Sequence, residues 1–373
     1  MKTRLIIAGA FLLSLSACSG NIDPDADSNK EIAGPFTLSA DKYEIEADGK
    51  DAAKLILTDA NGNVLTDSDQ LKYITFENVT TGMKTQKDNL FTSIQNGDFT
   101  IRATYKTTKS ENEITVTAKN RSSYEKYVRK VLLHELTDVK CPNCPYMASN
   151  LENLPEITAR HTVLLAVHGG FSQDDPWTIG SMGRDLLSAY GGLGWPCAIF
   201  NLKKAYNQSS SVNNVVEMSK IVEEHLRDYP ATCGIKVSSE LTAEGDVRIN
   251  ATLKSDKGGS YDLVYAVVKD NCEYMGGYSV NDAGIYNDVL IGITSNYRRF
   301  SDKEAFTLEA DGEFSEEWLF DASEGHMCVT LGASDKKDCR VVVYALRSLD
   351  GKAFVDNVVE CPLGESMDYA LNQ

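Results

Sequence analysis

The chain has 373 residues, more than one small core holds, so two or three domains are expected. Its 42% apolar and 24% charged residues are ordinary for globular protein. A formal net charge of −17 argues against nucleic acid as a partner and against electrostatic docking on anionic lipid.

Met1-Lys-Thr-Arg4 is a short basic opening, and Leu5 to Leu15 is an apolar run. That run is too short for a comfortable membrane span and suits a secretory signal. Leu15-Ser-Ala-Cys18 closes it and resembles the lipobox of bacterial lipoproteins. The resemblance implies that Cys18 is acylated after cleavage and that lipid is the anchor. A plain cleaved signal is the alternative. Ser19 to residue 35 is polar and turn-rich and reads as a tether.

From 36 to 120 strand signals dominate. Lys54-Leu-Ile-Leu-Thr58, Tyr73-Ile-Thr-Phe76, Phe99 to Tyr105 and Glu113 to Ala118 alternate apolar and polar residues. Asp48-Gly49, Asn61-Gly62, Thr81-Gly82 and Asn96-Gly-Asp98 mark turns, so a β-sandwich is expected. Leu38-x-x-Asp41, Ile45-x-Ala-Asp-Gly49 and Asp59-x-Asn-Gly-Asn63 resemble bacterial immunoglobulin-like spacer domains. That implies a spacer, with ligand binding by its loops as the alternative.

From 121 to 230 helices and strands alternate, as in an α/β unit. Tyr124 to Lys130 reads as a helical lead-in and Val131 to Leu136 as a strand. Cys141-Pro-Asn-Cys144 opens a helix running to about Leu154. His161 to Val167 is a continuous apolar run, the pattern of a strand covered on both faces. Asp175-Pro176 supplies an N-cap and first residue for a helix carrying Ile179, Met182, Leu186 and Tyr190. Trp195 to Phe200 is a strand, Lys203 to Tyr206 continues its hairpin, and a last helix spans about Val212 to Tyr229.

A C-x-x-C pair at a strand-to-helix junction suits reversible dithiol chemistry. The helix N-terminus stabilises a thiolate, Lys140 adds positive charge, and a second cysteine one turn on can resolve a mixed disulfide. Cys141 is therefore the candidate nucleophile and Cys144 the resolving thiol. A permanently closed structural bridge is one alternative. A metal site completed by Cys197 and His168 is another, although the second ligand pair of a structural zinc is missing.

This order of elements resembles thioredoxin-like proteins. Cys141 and Cys144 match the redox pair, and Trp195-Pro196 matches the cis-proline beside it. Glu135 matches the buried carboxylate that accepts a proton from the second cysteine. Leu-His-Glu-Leu-Thr-Asp-Val-Lys-Cys-Pro-Asn-Cys-Pro, with Val167-His-Gly169 and Gly194-Trp-Pro, resembles the outer membrane protein twenty-eight family. Those are lipoproteins with a thioredoxin-like core and a β-rich carboxyl end. The likeness covers roughly residues 121 to 365.

Pro142 and Asn143 depart from the reducing thioredoxins. Cys197 follows Pro196 and reads either as a third redox partner or as a buried small apolar residue. His168 ends a parallel strand on the rim of Cys141. It reads as a proton relay that lowers the thiolate pKa, or as a solvated loop histidine. His134 alternates with Glu135 and should face the other side.

From 231 to 373 strand alternation returns, at Gly234 to Leu241, Asp246 to Leu253, Asp262 to Val268, Ala305 to Leu308, Arg340 to Leu346 and Val355 to Glu360. A second β-sandwich is expected. Asn271 to Phe300 is a long tyrosine-bearing loop, either a binding surface or ordinary packing. Cys328 and Cys339 are placed to face each other across a hairpin; Cys233, Cys272 and Cys361 have no assignable partner.

No phosphate loop, dinucleotide fingerprint, nucleophile elbow or zincin motif occurs. The expectation is a multidomain α+β lipoprotein of the outer membrane, on either leaflet. It would exchange disulfides with exported proteins, need no soluble cofactor, and depend on an unidentified redox partner. The alternative is a non-enzymatic surface-binding or adhesin lipoprotein that uses the thioredoxin-like core as scaffold.

Overall fold

The computed structural model describes residues 34–86, 88–207, 214–280 and 284–373. The leader, Cys18 and most of the tether lie outside the described residues. Among the described residues, no helix is long and apolar enough to cross a membrane.

The protein is multidomain and rich in β structure. Near the amino end, a three-stranded sheet (Thr37–Ala40, Ala53–Thr58, Leu90–Phe91) faces a six-stranded one built around Gly97–Tyr105 and Ile74–Asn78. Strict alternation sends Leu55 and Leu57 from one sheet, and Phe76, Phe99 and Ile101 from the other, into a shared core. The Asn61-Gly62 turn is held by the Asp59 carboxylate, which accepts from the Asn61 and Asn63 N–H groups; Gly62 takes φ +85°.

The rest of the chain is organised on a nine-stranded sheet. Across it lie Lys204–Asn207, Cys197–Phe200, Val131–Thr137, Thr162–His168, Val289–Ile293, Gly259–Lys269, Cys339–Leu349 and Lys352–Pro362. Phe306–Leu308 pairs with the start of the Gly259 strand. The sheet runs straight through the expected boundary at 230. Thr162–His168 pairs in parallel with Val131–Thr137 on one side and with Val289–Ile293 on the other. Without Val289–Ile293 the Thr162 strand would be an apolar open edge. A four-stranded sheet (Glu313–Phe320, Val247–Ser255, Cys233–Leu241, Ser366–Met367) covers one face of the carboxyl-terminal half. The second sandwich therefore shares a layer with the middle region.

Helices cover the other half. Cys144–Glu152 and Val215–Asp228 pack on one face against Val131, Leu133, Ala198 and Phe200. Met182–Tyr190 packs on the opposite face against Leu132, Leu136, Val163 and Ile199, and ends at Gly191, φ +73°. Both faces are buried, which is why Val131–Thr137 reads as an unbroken apolar run apart from two titratable residues.

Three local expectations differ. Tyr124 to Lys130 is not helical. Arg129 is buried there and donates to the backbone carbonyls of Val355 and Asp356, while Asn372 Nδ2 donates to the Tyr127 carbonyl at 2.8 Å. Long-range pairing wins over local propensity. The helix expected from Asp175 starts at Met182; Asp175 Oδ1 accepts from the Trp177 N–H, while its Oδ2 is bonded to His168 and the Val139 N–H. Cys328 and Cys339 do not flank a hairpin. A 3-10 turn, Ala333–Asp338, lies between them, the Cys328 N–H donates to Ile291, and both thiols are free.

His134 is fully buried on the Met182–Tyr190 side, edge-on to Tyr344 at 6.2 Å, and neither ring nitrogen has a partner. Burial pushes its pKa down to about 3 from 6.5. A histidine held neutral in this way contributes stability above pH 6.5 that is lost as pH falls toward 3. His134→Leu is expected to stabilise the fold by about 1–3 kcal/mol at neutral pH and to lower the midpoint of acid unfolding, as measured by circular dichroism.

Candidate functional site

The Val131–Thr137 strand runs out beside Asp138, whose side chain shapes the turn into the next helix. Its carboxylate accepts from the Lys140 N–H (2.9 Å), the Ser172 N–H (2.8 Å) and the Ser172 hydroxyl (2.7 Å). The Val139 N–H donates to Asp175 Oδ2 at 2.9 Å, and the Cys141 N–H to the Asp138 carbonyl at 3.0 Å. Cys141 thus sits in a tight turn three residues ahead of the helix rather than opening it; the helix begins at Cys144 with Asn143 as its cap and Pro145 in its first turn. Cys141 and Cys144 are joined as a disulfide, with Cα atoms 5.5 Å apart. They are 1% and 2% exposed.

What covers them comes from the long tyrosine loop. The Tyr278 N–H donates to the Val139 carbonyl (2.8 Å) and Lys140 Nζ to the Gly276 carbonyl (3.2 Å). Lys140 also lies 5.3 Å from the Tyr274 ring centre, and the Tyr286 hydroxyl donates to the Tyr278 carbonyl at 2.9 Å. Tyr278, Val280 and Tyr286 line the same cavity as Cys144, so the described part of the loop lies against the bridge. Tyr286→Phe removes one clasp worth about 0.5–1.5 kcal/mol while keeping the ring. Reduction of the bridge by dithiothreitol is then expected to quicken about two- to tenfold, measured by timed alkylation of the freed thiols.

Beneath Cys144 is a cavity of about 40 Å3. Glu135, Glu152, His168 and Asp288 line it with Cys144, which is room for one or two waters. Glu135 is 3% exposed and its Oε1 has no partner. Burial, aided by the nearby Asp288 and Glu152 carboxylates, pushes its pKa up to about 8. Burial pushes Asp288 up to about 6, against the pull of Arg340. A carboxyl of this kind exchanges protons near neutral pH and lies where the Cys144 sulfur would need a base.

His168 is brought to the cavity, but as a buried, anchored ring. Its Nδ1 is 2.8 Å from Asp175 Oδ2, with Trp177 and Tyr286 edge-on at 4.9 and 5.6 Å. Burial would raise the Asp175 carboxyl, but His168 and the N–H groups of Val139 and Trp177 hold it below its ordinary value. Trp195-Pro196 is a cis peptide, and Pro196 stands one step past the Leu136–Cys197 pair, level with Thr137.

Cys197 does not join the site. Its side chain packs with Leu136 and Leu186 on the Met182–Tyr190 face, while Cys144 and Glu135 share the opposite face. The alternation of a strand puts the sheet between Cys197 and Cys144. Burial pushes its thiol up to about 11, so it is the small apolar residue rather than a redox partner. With Cys197 turned away, the Cys141, Cys144, Cys197 and His168 ligand set does not assemble. Among the described residues, no group of three or more His, Cys, Asp or Glu side chains is placed to hold a metal.

Sequence reasoning missed Asp138, Asp175 and Asp288. Asp138 and Asp175 act through backbone N–H groups, which leave no spacing signal. Asp288 arrives on a strand from the far half of the chain.

The class defined by this geometry is a β-rich multidomain protein with a covered disulfide at a strand-to-helix junction. Of solved structures, HBP35 of Porphyromonas gingivalis is similar, with TM-score 0.50 and 19% identity over 64% of this chain and 76% of that one. At that identity the likeness concerns fold alone. Surface layer protein SbsC, domains 4–9, aligns over 88% of this chain and 50% of that one at 14% identity, but with TM-score 0.16 it does not superpose. No family model and no curated protein matches the chain.

Proposed function

We propose that this is an exported, lipid-anchored protein of the cell envelope in which a thioredoxin-like unit carries out thiol–disulfide exchange on exported proteins. Cys141 attacks, Cys144 resolves, Glu135 takes and returns the proton, and Pro196 presents backbone to the substrate strand. The observation that carries this reading is Glu135, a buried carboxyl whose Oε1 has no partner, in the cavity that Cys144 lines. The strand order supports it. Thr162–His168 and Val131–Thr137 are parallel, and Cys197–Phe200 and Lys204–Asn207 add antiparallel on the other side, which is the order of a thioredoxin-like core.

The test begins with protein reduced by a dithiol. Reduced wild type should cleave the interchain disulfides of insulin, and Cys144→Ala should stall as a mixed disulfide on Cys141. A bridge that reduces slowly, and thiols that leave insulin intact, would mean a structural disulfide.

A second reading, a binding lipoprotein, is favoured by a separate feature. A cleft of about 200 Å3 opens in the amino-terminal sandwich, lined by Leu55, Phe76, Phe91 and Phe99, with Glu223 from the Val215–Asp228 helix at its edge. Burial pushes Glu223 up to about 7. Saturation-transfer NMR with small aromatic probes tests that reading without reference to the cysteines.

A further inference from the structure

Glu135 faces the small cavity beneath Cys144. The groups around it are Cys144 and Glu152 from the helix, His168 from the Thr162 strand, Tyr278 and Tyr286 from the covering loop, and Asp288 at the head of the Val289 strand. A proton leaving Glu135 for bulk water can be handed on by a titratable group among them. His168 is committed to Asp175 and is itself buried. The tyrosines are poor carriers near neutral pH. Glu152 and Asp288 remain.

Asp288 is the better placed of the two. Its backbone is pinned on both sides: its carbonyl accepts from the Ala166 N–H at 2.8 Å, and its own N–H donates to Asp270 Oδ1 at 2.8 Å. Its carboxylate is oriented by Arg340, which also holds Asp270 (3.0 Å) and Glu360 (3.2 Å). Its side chain is 29% exposed and lines the cavity, as the more exposed Glu152 also does, so the orienting contacts are what set Asp288 apart. Among Glu135's charged neighbours it exerts the larger influence, ahead of Glu152. Glu152, near the carboxyl end of its helix, has no comparable orienting partner among the described residues.

We infer that Asp288, oriented by Arg340, is the outlet through which Glu135 exchanges its proton with solvent. This rests on the exchange reading above. In the resolving step the Cys144 thiol gives its proton to the Glu135 carboxylate, and the Cys144 sulfur attacks the Cys141–substrate disulfide. That bond breaks, the Cys141–Cys144 bond forms, and the substrate sulfur leaves as a thiolate. The proton then passes through cavity water to Asp288 and out. The relay is available because the sheet continues past the Thr162 strand and so brings Asp288 to the dithiol.

Two measurements test it. The first is stopped-flow reaction of fully reduced protein with 5,5′-dithiobis(2-nitrobenzoate). One thionitrobenzoate is released when Cys141 attacks and a second when Cys144 resolves. Asp288→Asn should leave the first phase unchanged and slow the second about tenfold at pH 7, with its pH midpoint moved down. Glu152→Gln should slow the second phase less than Asp288→Asn does. The second is a carbon-13 NMR titration of the Glu135 carboxyl in the oxidised protein, which needs no exchange activity. Asp288→Asn should lower its midpoint by about one unit, since a neighbouring negative charge is lost. Asp288→Ser provides the same test should the asparagine variant misfold, and Asp288→Glu should restore part of the second-phase rate.

An unmoved NMR midpoint, an unaffected second phase, or the same slowing in Glu152→Gln would overturn the relay. A moved midpoint in a protein whose wild type shows no second phase would overturn the exchange reading instead, and with it the catalytic use of the outlet.

Discussion

Replacing Glu135 with glutamine is expected to do two opposite things. Disulfide exchange should slow by about a hundredfold or more, the usual scale for losing a positioned proton acceptor. The fold should become more stable, and increasingly so as pH rises. Glu135 titrates near 8 in the folded protein against an ordinary 4.5, so the folded state binds this proton more tightly than the unfolded chain. The advantage is complete below pH 4.5 and is lost through the window up to about 8. Within that window the slope approaches about 1.4 kcal/mol per pH unit. Urea unfolding of wild type and Glu135→Gln at pH 5, 6, 7 and 8 should give two curves that diverge. Parallel curves would place the carboxyl in a better solvated setting than the cavity beneath Cys144.

Arg121→Ala is expected to cost about 3–5 kcal/mol, the scale for breaking a buried ion pair. Arg121 and Glu125 have side chains only 4% and 3% exposed and lie 3.0 Å apart. The guanidinium also donates to the Ala47 carbonyl in the amino-terminal sandwich (3.2 Å) and the Leu226 carbonyl in the last helix (3.0 Å), while Glu125 Oε2 accepts from the Ala231 N–H (2.9 Å). One side chain therefore joins three segments. Its loss strands the Glu125 carboxyl, which burial already raises against the pull of Arg121. The double change Arg121→Met with Glu125→Leu should recover most of the loss, since it leaves no uncompensated charge. Thermal unfolding of both variants decides it. A mild Arg121→Ala would mean that the Glu125 carboxyl simply protonates.

Much of this is legible along the chain, because much of it is periodicity. The strands of the amino-terminal sandwich, the continuous apolar runs at 131–136 and 161–167, and the amphipathic last helix all announce themselves through which positions must be dry. The placement of Glu135 on the cysteine side and His134 on the other follows from the same period of two. Sheet membership is not legible. Val289–Ile293 is five residues in a long loop, and its pairing with Ala166 depends on what the Thr162 edge needs rather than on its own pattern. Glu313–Phe320 reads as polar because most of it faces outward. Cys197 shows the limit on single side chains. Its adjacency to Pro196 is plain in the sequence, but the face it takes is set by its register with Leu136.

The shared nine-stranded layer also decides how the protein can be dissected. A fragment ending near residue 230 would keep both cysteines and their helix. It would also carry a bare, two-sided apolar strand along the Thr162 margin, and such margins recruit one another. Stickiness of the excised piece would then report a missing neighbour rather than a poorly folded core. Anyone wishing to handle the dithiol unit alone should carry the chain through to Gln373 and trim only from the amino end.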